Sequence, residues 1–125
     1  MWILFSALAF AQDPCPGATV DTCQLSCPAG ASQVRRDSSS NQPELFCARP
    51  DGVLHGPTAG WYLPDGTKFW SYKWEGVAHG QVGKVGRDGA LLMDCQFDHG
   101  KMVSYAGAEG WMWCMTDRME VVRVP

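Results

Sequence analysis

Apolar and polar residues alternate with a period of two over much of the chain, and this alternation is typical of half-buried β-strands. It is clearest in residues 67–74 and residues 90–97. The positions that share one face are Trp70, Tyr72 and Trp74 in the first segment, and Leu91, Met93, Cys95 and Phe97 in the second. We predict that these two apolar rows pack against each other and form the core between neighbouring hairpins.

Five further strands are predicted, with turn-forming residues between them. They cover residues 60–63, 81–85, 101–106, 111–116 and 119–124. Closer to the N-terminus, the polar run at residues 37–43 predicts the loop of a hairpin whose strands are residues 32–36 and 44–47. No segment has a sustained helical period. The sequence therefore predicts an all-β domain over residues 31–125, an antiparallel meander of hairpins.

The turns of this meander repeat along the chain. Asp51-Gly52-Val53-Leu54-His55-Gly56 returns as Glu75-Gly76-Val77-Ala78-His79-Gly80, and Pro64-Asp65-Gly66 returns at nearly the same interval as Arg87-Asp88-Gly89. A degenerate third copy is Asp98-His99-Gly100-Lys101. An acidic residue before Gly favours a tight turn, because Gly adopts positive φ without a Cβ clash. The predicted repeat-turn positions are Gly52, His55, Gly56, Gly66, Gly76, His79, Gly80, Gly89, His99 and Gly100.

Composition narrows the class of protein. The chain has 125 residues, 46% of them hydrophobic and 18% charged, which suits one globular domain with a core. Its formal net charge of -3 gives no electrostatic reason to bind nucleic acid or an anionic membrane surface. We expect no nucleic-acid partner and no integral membrane protein, and the sequence specifies no oligomeric state.

Residues 1–11 have the features of an export signal. An uncharged apolar run from Trp2 ends in the small-residue triplet Ala9-Phe10-Ala11, the kind of site that signal peptidase accepts. Ten apolar residues span about 15 Å as a helix, which is half of the hydrocarbon core of a bilayer. We therefore predict cleavage before Gln12 and a periplasmic or extracellular protein. The alternative is a buried N-terminal strand or helix. Residues 12–30, rich in Cys, Pro and Gly, are predicted to form an irregular leader.

An even number of cysteines in a small exported chain predicts a disulfide framework. Six cysteines allow fifteen pairings. Two pairs are suggested by the N-terminal hairpin and by two strands that could be neighbours, and the third pair takes the remaining cysteines. The predicted pairs are Cys15 with Cys23, Cys27 with Cys47, and Cys95 with Cys114. The alternative is a zinc site that uses Cys23, Cys27 and either Cys47 or a His, although a second cysteine pair at zinc-finger spacing is lacking.

The repeated segments resemble units of the bacterial MORN-repeat variant family, in which an aromatic residue precedes Gly-x-x-His-Gly and an aromatic strand and an Asp/Asn-Gly turn follow. The best match is Trp74-Glu75-Gly76-Val77-Ala78-His79-Gly80, and the coverage is about residues 46–105. The resemblance implies an elongated, single-layer antiparallel sheet of hairpins that stack through aromatic residues. It also implies an interaction or scaffold module, and a cysteine-rich leader is similar to that of exported members.

Aromatic residues are the candidate ligand contacts, because an open single-layer sheet in so short a chain leaves some aromatic surface uncovered. The candidates are Trp61, Trp70, Tyr72, Trp74, Trp111 and Trp113. For Trp70, Tyr72 and Trp74 the core between repeats, as predicted above, is favoured over contact with a ligand.

Catalytic chemistry has few candidates. His55, His79 and His99 could form a zinc site with an open position, but each stands directly before Gly, where a turn role suffices. Asp65, Asp88 and Asp98 stand beside Gly or His, where a short carboxylate bonds local backbone N–H groups. We expect no catalytic residue, no metal and no cofactor.

The sequence therefore predicts an exported, non-enzymatic β-repeat protein that interacts with a protein or a cell-envelope polymer. Two alternatives are a small zinc-dependent hydrolase that uses the three histidines, and a secreted disulfide-rich effector or inhibitor.

Overall fold

The computed structural model describes residues 13–124. The predicted export signal lies outside the described residues. The strands are β1 (Ser32–Asp37), β2 (Pro43–Ala48), β3 (Leu54–Tyr62), β4 (Thr67–Trp74), β5 (Val77–Ala78), β6 (Gly80–Val85), β7 (Leu91–Asp98) and β8 (Lys101–Ala106), and one helical turn, α1, covers Gly110–Trp113. Over the described part of the chain, no helix is long and apolar enough to cross a bilayer.

The strands form one antiparallel sheet in the order β1-β2-β3-β4-β6-β7-β8, with β5 pairing to β4. The predicted all-β meander is confirmed. Strands β4 and β8 have the predicted bounds, whereas β3 begins at Leu54 and not at residue 60. The additional part of β3 contains Pro57, which has no N–H for a ladder. An irregularity in the β2–β3 register between Phe46 and Ala48 lies opposite this segment and accommodates the proline.

Three of the turns recur at equal intervals along the chain. Gly52, Gly76 and Gly100 have φ of 86°, 88° and 88°, a conformation that L side chains rarely adopt. The N–H of Gly76 donates to the Leu54 carbonyl, and the N–H of Gly100 donates to the carbonyl of Ala78, which is the equivalent residue of the next repeat. These turns therefore form one row along an edge of the molecule.

The leader covers one face of the sheet, which we call the leader face. The Trp61 indole N–H donates to the Ala18 carbonyl at 3.3 Å, and the buried Lys68 ammonium lies 2.7 Å from the Asp13 carboxylate and 2.6 Å from the Cys15 carbonyl. Leader and sheet share a buried cluster of Cys15, Cys23, Leu25, Leu45, Cys47, Ala59 and Trp61. Burial of each large apolar side chain in it contributes about 1.5–3 kcal/mol to stability.

All six cysteines are paired, and the predicted pairing is confirmed. The bonds are Cys15–Cys23, Cys27–Cys47 and Cys95–Cys114. Because Cys23 and Cys27 belong to different disulfides, the alternative zinc site on these cysteines is wrong. Each of the two longer loops, of 20 and 19 residues, restricts the unfolded chain enough to stabilise the fold by about 3 kcal/mol.

The C-terminal segment differs from the prediction. Residues 111–116 are not a strand: residues 111–113 belong to α1, and Cys114 follows the helix directly. Residues 119–124 are not a sheet strand either, and their single bridge joins Arg123 to Val53. The segment instead runs along the row of turns, where backbone N–H groups of Arg118, Val122 and Val124 donate to the carbonyls of Gly100, Gly76 and Gly52. We call residues 117–124 the strap.

The predicted packing of the two apolar rows is also wrong. Trp70 pairs with Gly83, and Gly83 pairs with Asp94, so these three residues share a face. Met93, one residue earlier, points to the opposite face. The Trp70 ring instead lies against the bare backbone of Gly83, and its indole N–H donates to the Gln81 side chain at 2.9 Å. Met93, Cys95 and Phe97 are buried with Ala78 and Cys114 beneath the C-terminal segment.

Candidate functional site

The face opposite the leader, which we call the open face, is only partly covered. The C-terminal segment packs on it at β7 and, through Val124, on Phe46, Ala48 and Leu54 of β2 and β3. The open face forms a cleft of about 530 Å³. Its floor consists of side chains from the central strands, including Phe46, Thr58, Phe69, Ser71, Val82 and Met93. Trp113 of α1 and Val122 of the strap line the same cleft. The leader and the C-terminal segment therefore protect opposite faces of the sheet, and the cleft occupies the part of the open face that the C-terminal segment leaves uncovered.

The floor of the cleft has few unsatisfied polar groups. The hydroxyls of Thr58 and Ser71 are 2.6 Å apart and hydrogen-bond to each other across β3 and β4. The Phe69 ring lies over Gly60, where a Cβ would collide with it. A glycine opposite an aromatic residue thus flattens the floor and lets the ring lie along the sheet.

Two of the charged residues that line the cleft have partners. The Lys84 ammonium lies 2.7 Å from the Glu109 carboxylate. The Glu44 carboxylate accepts from the Ser38 hydroxyl at 2.7 Å and pairs with Arg36 at 3.4 Å. These pairs satisfy the charges at the rim without a ligand.

Lys73 is different, because its ammonium has no hydrogen-bond or ion-pair partner among residues 13–124. Burial lowers the pKa of Lys73, and the positive charge of Arg118 lowers it further. Both residues line a smaller pocket of about 220 Å³ that adjoins the cleft, together with Ser71, Phe97 and Trp113. This end of the open face therefore combines an unpaired cation with an apolar wall, an arrangement that suits an anionic group on an apolar ligand.

The aromatic residues predicted to contact a ligand differ in their exposure. Trp61 and Trp70 are buried, and of these two only Trp70 is among the residues that line the cleft. Tyr72 is half-buried on the leader face. Trp74 is 46% exposed, but its ring packs on His55. Trp111 and Trp113 are 57% and 54% exposed, and of these two only Trp113 lines the cleft.

The three histidines do not converge. The buried His55 ring packs on Trp74 with 4.2 Å between centroids, while the His79 ring packs on His99 at 4.3 Å. His99 is also not the counterpart of the other two. His99 precedes Gly100 as Glu75 precedes Gly76, and both have φ near 50°. The prediction of one repeat position for all three histidines is therefore wrong, and so is the three-histidine zinc site.

The turn carboxylates behave as predicted in two of three cases. Asp65 accepts the Thr67 N–H at 2.9 Å, and Asp88 accepts the Ala90 N–H at 3.0 Å. Asp98 instead contacts the His99 imidazole at 2.6 Å. Among the described residues, the group able to hold a metal ion is His79, Asp98 and His99.

The sequence did not identify the cleft or Lys73. Alternation assigns Lys73 to the face opposite Trp70, but it does not indicate which face the leader covers. The polar residues Ser71 and Lys73, which alternate with aromatic residues in β4, were the one sequence feature that could have indicated the cleft.

Comparison of the chain with protein-family models, with curated proteins and with solved structures finds no match.

Proposed function

We propose that the protein is an exported, non-enzymatic binding module whose cleft on the open face holds an apolar polypeptide segment of a partner protein. The observation that carries the proposal is Lys73, an unpaired and partly desolvated ammonium at one end of an apolar cleft. A partner with a carboxylate beside apolar side chains would pair with this cation and cover the cleft.

Export is part of the proposal. Three disulfides within one chain suggest an oxidising environment, because cytosolic thiols are kept reduced. The signal-like residues 1–11 support secretion to the periplasm or the cell exterior.

We also propose a relationship to the MORN-repeat variant family. The equal spacing of Gly52, Gly76 and Gly100, with His55 and His79 in equivalent places, supports it. Repeat proteins commonly bind partners on the extended surface that their stacked units create.

A synthetic peptide array tests the binding proposal. It contains apolar peptides with and without an acidic residue or a free C-terminal carboxylate, and it is probed with the oxidised protein. We expect retention of the acidic apolar peptides, loss of that retention in Lys73→Met, and no change in Lys101→Met, whose lysine is exposed on β8 and lies outside the cleft.

Two results would reject this binding mode. One is equal retention of acidic and neutral peptides by the wild-type protein. The other is retention of a cell-envelope polysaccharide that Lys73→Met leaves unchanged, which would assign the module to a polymer ligand and not to a polypeptide.

A further inference from the structure

Two histidines occupy the same position in successive repeats. His55 Nδ1 accepts the N–H of Glu75 at 3.0 Å, and His79 Nδ1 accepts the N–H of His99, also at 3.0 Å. Glu75 and His99 both have positive φ, 51° and 49°. The backbone at these two places is therefore nearly the same, and chemical differences between them come from the side chains.

Those side chains differ in kind. In the repeat that contains His55, the His55 ring is buried against Trp74, which leaves the imidazole little access to a ligand. In the repeat that contains His79, Asp98 occupies the position equivalent to Trp74, and His99 occupies the position equivalent to Glu75. The Asp98 carboxylate lies 2.6 Å from His99 Nδ1 and 3.8 Å from His79 Nδ1.

We propose that His79, Asp98 and His99 bind a divalent transition metal ion. Their donor atoms lie within 4.8 Å of one another. A metal ion with bonds of about 2.0–2.2 Å requires ligand atoms roughly 3–3.5 Å apart, so small side-chain rotations suffice. The Asp98 and His99 side chains are each 68% exposed and are free to make them.

The donor set indicates which ions fit. Two imidazoles and one carboxylate favour Zn²⁺, Ni²⁺ or Cu²⁺ over Ca²⁺ and Mg²⁺, which prefer oxygen ligands. Three protein donors at an exposed turn leave the remaining coordination positions to water. None of the three residues lines the cleft, so the metal site is independent of the proposed binding function.

Metal binding has a defined effect on one hydrogen bond. While His79 Nδ1 accepts the His99 N–H, the neutral ring carries its proton on Nε2. A metal ion can bind His79 through Nδ1 directly, or it can bind through Nε2 after the proton has moved from Nε2 to Nδ1. Both routes release the His99 N–H to water, and metal coordination must outweigh the loss of this hydrogen bond.

Amide NMR with ZnCl₂ as the probe tests this inference. We expect saturable binding of one Zn²⁺ per chain, with a shift and faster hydrogen exchange of the His99 amide. The Glu75 amide, which donates to His55 in the equivalent place, serves as the internal control and should not change. A titration to millimolar Zn²⁺ that leaves the His99 amide unchanged would overturn the proposal.

Variants provide a second readout by calorimetry. His99→Asn and Asp98→Asn should each weaken Zn²⁺ binding more than tenfold, and Asn tolerates the positive φ at residue 99. Asp88→Asn, which alters a comparable turn carboxylate elsewhere, should bind as tightly as the wild type. Equal affinity in His99→Asn and the wild type would exclude the site, because His55 and His79 remain in that variant.

Discussion

At the scale of single residues, glycines determine where this sheet can turn and where aromatic rings can lie. Gly76 occupies a turn with φ of 88°, and a Cβ there would come within 2.5 Å of the Val121 side chain in the strap. Gly89 has a similar φ of 85°, but a Cβ there would meet nothing within 4 Å. The two positions thus separate the cost of backbone strain from the cost of a clash.

We expect Gly89→Ala to lower the free energy of unfolding by about 1 kcal/mol, from positive φ alone. Gly76→Ala should cost at least twice as much, because the strap must also move. Urea denaturation of both variants measures the difference. Equal losses would show that the strap does not pack tightly on this turn.

Two turn carboxylates contribute to the response to acid. A hydrogen bond from Arg49, and then one from the Val53 amide, lower the pKa of Asp51. Hydrogen bonds from the Thr67 hydroxyl and amide lower the pKa of Asp65. Since each folded pKa lies below the unfolded value of about 3.9, the unfolded chain binds more protons in that range. This stabilisation is complete above the unfolded pKa and is lost as the pH falls through the folded values.

Urea midpoints between about pH 2 and pH 5 test this contribution, because the interval spans the ordinary Asp pKa. The double variant Asp51→Asn and Asp65→Asn should show a shallower decline of stability than the wild type. Glu120→Gln, which alters an exposed carboxylate of the strap, is the control. Superimposable profiles of the double variant and the wild type would contradict the assignment.

At the scale of elements, alternation and turn residues predicted most of the sheet, including the bounds of β4 and β8. The same reasoning failed where long-range partners decide the structure. Residues 119–124 contain enough β-branched residues for a strand, but their backbone bonds to turn glycines. The pairing of Cys95 with Cys114 was predicted correctly from a strand that does not exist. His99 was placed in the wrong register because the motif shows His before Gly at both kinds of position.

Backbone hydrogen bonds hold the strap against the row of turns. The Val122 N–H donates to the Gly76 carbonyl at 2.9 Å, and the Leu54 N–H donates to the Val122 carbonyl at 3.0 Å. Val122→Pro removes the first bond and should lower the free energy of unfolding by about 1–3 kcal/mol more than Val122→Ala, which keeps the N–H. Thermal unfolding compares the two. If both variants unfold at the same temperature, the hydrogen bond from Val122 to Gly76 contributes nothing to stability.

At the scale of the whole molecule, one sheet has to be protected on two faces by short terminal segments. The leader covers one face near β2, β3 and β4. The C-terminal segment covers the other face near β7 and, through Val124, at a small cluster on β2 and β3. Because each segment covers only part of one face, an apolar cleft with Lys73 at one end stays accessible. Sequence patterns could not indicate this arrangement, since they show that a strand has two faces but not which terminal segment lies on which.

Lys73 links stability with binding at this scale. Its lowered pKa means that the folded state disfavours the ammonium, so stability should rise with pH above the folded pKa and level off above the unfolded value of about 10.4. We expect Lys73→Met to raise the free energy of unfolding by on the order of 1 kcal/mol while abolishing retention of acidic peptides. Lys101→Met should change neither property. A destabilised Lys73→Met would instead identify Lys73 as a stabilising contact.

The most direct test of the central claim is methyl NMR of the oxidised protein with the acidic apolar peptide that the array retains best. We expect shifts at Thr58, Val82 and Met93, whose side chains line the cleft. Methyl groups of Leu25, Leu45 and Ala59 in the leader cluster should stay in place. Shifts confined to the leader cluster, or none in the cleft at saturation, would contradict the claim that the open face binds the partner.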